Sequence, residues 1–175
     1  MISIIVFLFF FICFVIILFD IWRAGITPTP TSFKVRKEIE KHLPELKIGP
    51  IYELGSGWGG LLWVLHKKYK NLRIIGVELS LIPFIVSYVI KLIQRKKNVF
   101  IYYQNFFNLS FHNSQLIICY LYPEAMIKLK EKFEKELQKN SYVITHTFAI
   151  PNWKPYKVIK CNDLYSTQIY FYKIG

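Results

Sequence analysis

Residues 52–60, Tyr-Glu-Leu-Gly-Ser-Gly-Trp-Gly-Gly, set four glycines directly behind a short apolar run, Ile51 to Leu54, that reads as a strand. A run of helical character, Gly59 to Tyr69, follows without a break. Glycines in such a place permit a tight turn and let a ligand come close to the backbone. The helix that follows offers N–H groups with no partner inside the helix. Strand, glycine loop and helix in this order are the opening unit of a ligand-binding α/β domain.

The same alternation continues outward from this unit. Arg73 to Glu78 predicts a second strand, Ile82 to Arg95 a helix, and Val99 to Tyr103 a third strand. Gln115 to Leu121 is an apolar run bounded by polar residues, the pattern of a strand buried on both faces. Pro123 opens a helix reaching about Lys139, with proline in the tolerated first turn. Tyr142 to Phe148 predicts a fifth strand; Lys157 to Cys161 and Thr167 to Tyr172 predict two more. Strands alternating with helices imply a parallel sheet covered on both faces. The last two strands lack a crossover helix and should form an antiparallel hairpin. The fold class expected is α/β: a Rossmann-like, mostly parallel seven-stranded sheet ending in an antiparallel hairpin.

Two ligands compete for the glycine loop. Gly55, Gly57 and Gly60 satisfy the dinucleotide spacing, which would cradle a pyrophosphate. Glu78, at the end of the second strand, would hold a ribose in either case. Glu53 separates the two. A carboxylate before the first glycine repels a pyrophosphate and attracts a ligand that carries a sulfonium and an ammonium. Its competing role is to bond backbone amides at the strand end.

Upstream, Ile2 to Phe19 contains one polar residue, Ser3, and would extend roughly 27 Å as a helix. That length suits a bilayer, and a transmembrane anchor over 1–22 is expected. Trp22 would sit at the interface. Arg23, Lys34, Arg36, Lys37 and Lys41 follow the segment, and no Lys or Arg precedes it, so the domain is expected on the cytoplasmic side, held to membrane lipid through this helix. Residues 23–49 form a linker, punctuated by Pro28 and Pro30, and a helix capped by Thr31 or Ser32. Residues 50–175 form the ligand-binding domain. Lys and Arg number 23 against 11 acidic residues, a net charge of +12 that suggests an anionic neighbour or a biased residue usage. The basic run Lys91 to Lys97 lies at a helix C-terminus, where cations are favoured, and nucleic acid is not expected as a partner. Cys13, Cys119 and Cys161 form no C-x-x-C pair and read as free thiols; no metal is expected.

Glu53-Leu-Gly-Ser-Gly-Trp-Gly-Gly60 followed by Gly76-Val-Glu-Leu79 resembles the first two motifs of class I, seven-strand S-adenosylmethionine-dependent methyltransferases. The apolar N-terminus, Thr27-Pro-Thr-Pro30, Leu121-Tyr-Pro123 and Pro151-Asn-Trp153 extend the resemblance to the small membrane-associated protein-lysine methyltransferases, which modify the c-ring protein of ATP synthase or the adenine nucleotide translocase. It covers nearly the whole chain. The resemblance implies S-adenosyl-L-methionine as cofactor. Glu53, Gly55, Gly57 and Gly59 would line its methionine end, Glu78 would bind the ribose hydroxyls, and Thr29 would close over it. Asn105 stands where the family often has an Asp near the adenine. Tyr122 and Glu124, after the fourth strand, would serve the substrate amine, expected to be a lysine of a membrane protein. Trp58 and Trp153 would either shape the site or pack as aromatic core. A lipid or quinone-like acceptor, and a non-catalytic nucleotide-binding module, remain as alternatives.

Overall fold

The computed structural model describes residues 2–24 and 29–175; the side chains of the first helix are described over 3–15. The first helix, α1 (Ile2–Ala24), lies against α4 (Leu81–Ile93). Among the described residues no helix is long and apolar enough to cross a membrane. This overturns the expected single-pass anchor and, with it, the cytoplasmic placement, which needed a span to orient; the expected contact with membrane lipid through this helix is not shown. The interfacial role of Trp22 and the first part of the linker, 25–28, lie outside the described residues.

Helix α2 (Phe33–His42) starts where the sequence provides a cap: the Ser32 hydroxyl accepts from the Val35 N–H at 3.3 Å. Its buried face is Val35 and Ile39. Then come β1 (Ile51–Leu54), α3 (Gly60–Lys68), β2 (Ile74–Glu78), α4, β3 (Val99–Tyr103), a 3-10 turn at Phe106–Asn108, β4 (Leu116–Cys119), α5 (Pro123–Glu136), β5 (Tyr142–His146), β6 (Lys157–Lys160) and β7 (Gln168–Lys173). The sheet order is β3-β2-β1-β4-β5-β7-β6. The first five strands run parallel, and β7 pairs antiparallel with both β5 and β6. This is the expected Rossmann-like sheet with its C-terminal hairpin.

Two apolar layers flank the sheet. Val35, Ile39, Leu62 and Leu65 bring α2 and α3 onto one face. Met126, Leu129 and Phe133 of α5 bury on the other, with Phe111 and Tyr172. Each such side chain contributes about 1.5–3 kcal/mol on leaving water. At Gly76 a Cβ would lie 2.7 Å from Leu62 and 3.0 Å from the Ser56 hydroxyl, so the absent side chain lets α3 lie close to β2. Strand β4 stops at Cys119, two residues before its apolar run ends. Tyr120 and Leu121 leave the sheet there and turn toward the cavity described next.

Candidate functional site

In an open parallel sheet, ligands collect beyond the carboxyl ends of the strands, where neighbouring strands connect to opposite sides. Here that point lies between β1 and β4, the two central strands. A cavity of about 380 Å³ opens there. Glu53, Leu54 and the glycine loop contribute one wall, and Cys119 to Tyr122 contribute the facing one. Glu78 to Ser80 follow β2, Asn105 to Phe107 follow β3, and Thr29 to Thr31 with Arg36 come from the segment before the sheet.

The loop owes its shape to backbone angles that side chains disfavour. Gly57 has φ +50° and Gly59 φ +81°. The Gly55 and Ser56 amides donate to the Val77 carbonyl at 2.9 and 3.0 Å, which ties the loop to β2. The Gly57 amide donates to Glu78 Oε2 at 2.6 Å. The other carboxylate oxygen, Oε1, accepts from the Leu79 and Ser80 amides at 2.8 and 2.7 Å. Three amide donors therefore fix the Glu78 carboxylate, and one lone pair, on Oε2, remains for a ligand hydroxyl.

Glu53 is 5% exposed and sits in register between Gly76 of β2 and Ile118 of β4. The Leu62 amide donates to it, but its Oε2 is buried with no partner among the described residues. Burial, reinforced by the nearby Glu78 charge, holds its carboxyl well above the usual carboxylate range. The expected competing role, a strand-end residue saturated by backbone amides, leaves this second oxygen unexplained. A buried acceptor without a donor costs about 1–3 kcal/mol, and a cationic ligand would remove that cost.

Of the residues singled out in the sequence, Thr29, Glu53, Gly55, Gly57, Glu78, Asn105 and Tyr122 all line this one cavity. Two do not. Gly59 lies behind the lining as the left-handed residue that starts α3, and a Cβ there would meet the Trp63 ring at 2.8 Å; its role is packing. Glu124 is exposed in the first turn of α5, outside the lining. The Asn105 side chain caps the 3-10 turn, accepting from the Phe107 amide at 3.0 Å. Trp58 lines the cavity, whereas Trp153 packs on Tyr172 and Phe133 and donates to Glu134 at 3.0 Å.

Sequence reasoning missed four residues in or beside the cavity. Arg36 entered it only as one basic residue near the N-terminus, yet it lines the cavity. Phe106 and Phe107, with ring centroids 4.6 Å apart, form an apolar flank. His146, at the end of β5, is 3% exposed, stacks on Tyr120 at 4.4 Å and lies 3.2 Å from the Thr31 hydroxyl through Nε2. It thus joins the pre-sheet segment to the wall formed after β4. Burial pushes its pKa down to about 4, against a small opposing pull from Asp163, so it is neutral at pH 7. Cys119 also lines the cavity, but burial raises its thiol to about 12 and keeps it protonated.

A site with two buried acids, one of them with an oxygen that lacks a donor, and an aromatic flank suits a cationic ligand carrying hydroxyls and a flat ring. Comparison with known proteins points the same way. The family model described as the ANTKMT methyltransferase domain matches residues 53–157, more than half of the chain. A protein-lysine N-methyltransferase of Saccharolobus islandicus (strain REY15A) is 27% identical over 155 residues, covering 85% of this chain and 92% of that protein. A Homo sapiens lysine N-methyltransferase named for the c-ring protein of ATP synthase is 27% identical over 124 residues, 68% of this chain; the chain spans about half, 52%, of that relative's length. Among solved structures, an RNA methyltransferase from Salinibacter ruber in complex with S-adenosyl-L-homocysteine superposes with a TM-score of 0.70 at 20% identity. That match covers 84% of this chain and 94% of that one, and it bears on the fold.

Proposed function

The chain belongs to the ANTKMT methyltransferase domain family, and from that premise we propose that it transfers a methyl group to the side-chain amine of a lysine in a protein. It is an S-adenosylmethionine-dependent methyltransferase. The observation that carries the assignment of the site is Glu53: a carboxyl group buried beside the glycine loop, with one oxygen unpartnered and lining the cavity. The residues present fit the cofactor. Glu53 would face its cationic end, Glu78 would accept from a ribose hydroxyl, Gly55 and Gly57 would leave room for its chain, and Phe106, Phe107 and Asn105 would border the base. Thr29, on the pre-sheet segment, would close over it. We place the catalytic domain at residues 50–175, with 23–49 as linker and supporting helix.

When bound, S-adenosylmethionine supplies an electrophilic methyl carried on a sulfonium. What the protein must do is align an amine with that methyl and keep water out. The amine must also be neutral. At an ordinary pKa of about 10.4, only about one lysine in a few thousand is neutral at pH 7. The wall of Tyr120, Leu121 and Tyr122 surrounds an entering amine with largely apolar surface, and desolvation favours its neutral form. Tyr122, the residue that starts α5, offers the hydroxyl that orients the amine. Glu124 stands outside the lining and takes no direct part.

The protein target is argued from the two lysine methyltransferases among the relatives. Labelled S-adenosylmethionine incubated with the enzyme and a cell extract, separated into protein and lipid fractions, checks it. Label is expected in protein and, after acid hydrolysis, in methylated lysine. Label confined to lipid would overturn the lysine reading while leaving the methyltransferase.

A further inference from the structure

Arg36 stands in the first turn of α2, whose backbone closes with the Arg36 amide donating to the Ser32 carbonyl at 3.0 Å. Its guanidinium reaches across to the start of α3. A Cβ on Gly60 would come within 2.8 Å of Nη1 and 3.2 Å of Cδ, so glycine at 60 is what lets the arginine lie there. Among the described residues that line the cavity, Arg36 is the single Lys or Arg, facing two acids, Glu53 and Glu78. Its Nε is buried with no hydrogen-bond partner among the described residues. Glu53 Oε2 is unpartnered in the same cavity. One cavity therefore holds an unused buried donor on a cation and an unused buried acceptor on a carboxyl group. Both border the glycine loop.

The ligand that matches such a pair is an α-amino acid. We infer that Arg36 binds the carboxylate of the cofactor's amino-acid end while Glu53 binds its ammonium, so that the two side chains together read a zwitterion. The inference rests on the cofactor reading given above and deepens it. Guanidinium and carboxylate form charge-assisted hydrogen bonds worth about 1.5–3 kcal/mol.

Decarboxylated S-adenosylmethionine keeps the sulfonium and the ammonium and lacks only the carboxylate. Calorimetric titration of both ligands into the full chain isolates the contact. Wild type is expected to prefer S-adenosylmethionine by roughly ten- to hundred-fold, which is 1.5–3 kcal/mol expressed as affinity. Arg36→Gln should lose that preference while binding the decarboxylated ligand as wild type does, and Arg36→Lys should recover part of it. Gly60→Ala, which displaces the guanidinium without removing it, should reduce the preference as well. A wild type that binds both ligands equally would overturn the inference, as would an Arg36→Gln protein that weakens both alike. A wild type that binds neither would overturn the cofactor reading itself, a result distinct from the other two.

Discussion

Glu53 shows how one residue can oppose folding and serve binding. Its folded-state pKa is raised above the unfolded value, first by burial and then by Glu78. The sign follows directly: the folded chain holds a proton that the unfolded chain gives up, so this group's contribution is intact below about pH 4.3 and is lost as pH rises. Without ligand, Glu53→Gln is therefore expected to gain stability relative to wild type from pH 4 toward pH 8, read as a difference in urea midpoints that widens with pH. A constant difference would mean the carboxyl titrates normally. Gly59 offers a separate check at the same scale. With φ +81° and the Trp63 ring 2.8 Å from any Cβ, Gly59→Ala should cost about 2 kcal/mol in denaturant unfolding. A cost under about half a kcal/mol would refute the packing role given to it.

Among the elements, β5 carries the next constraint through His146. Its folded pKa of about 4 lies below the unfolded value near 6.5, so stability is fully present above pH 6.5 and falls as the pH drops through that window. A shift of this size corresponds to about 3 kcal/mol. His146→Gln keeps a partner for Thr31 and does not titrate; its stability should fall less steeply than that of wild type between pH 6.5 and 4 in urea titrations. Parallel slopes would mean other groups govern acid unfolding. The elements themselves were legible because each signal was local: the apolar run of β4, Pro123 at the head of α5, Ser32 before α2, and glycines between β1 and α3. What was not legible came from tertiary approach. Nothing in the sequence near Arg36 reveals that Gly60 clears a path for it, and His146 meets Thr31 across 115 positions. Trp153 and Glu124 have the right chemistry and order for a site, but Trp153 packs on Tyr172 and neither residue lines the cavity.

Across the whole molecule, the strand order sets the cavity between β1 and β4, and the segments that reach it come from strand ends, from the start of α3 and from the stretch before the sheet. That Glu53 and Glu78 would meet in one cavity was readable because they lie toward the carboxyl ends of the first two strands. The membrane placement drawn from composition was not sustained: among the described residues no helix is long and apolar enough to cross a membrane. For the reaction, deprotonation of the acceptor amine makes initial rates rise from pH 7 to pH 9 in a labelled-methyl assay at saturating cofactor; a flat profile would contradict an amine acceptor. The central claim is that the carboxyl group at the end of β1 is there for a cation. Calorimetric titration of S-adenosylmethionine into wild type and Glu53→Gln, repeated in buffers of different ionisation enthalpy, tests it directly. The account predicts that the variant binds roughly ten- to hundred-fold more weakly and that wild-type binding, at pH values where the free carboxyl still holds its proton, carries a proton release that the variant lacks. Equal affinities and equal proton release in the two proteins would contradict it.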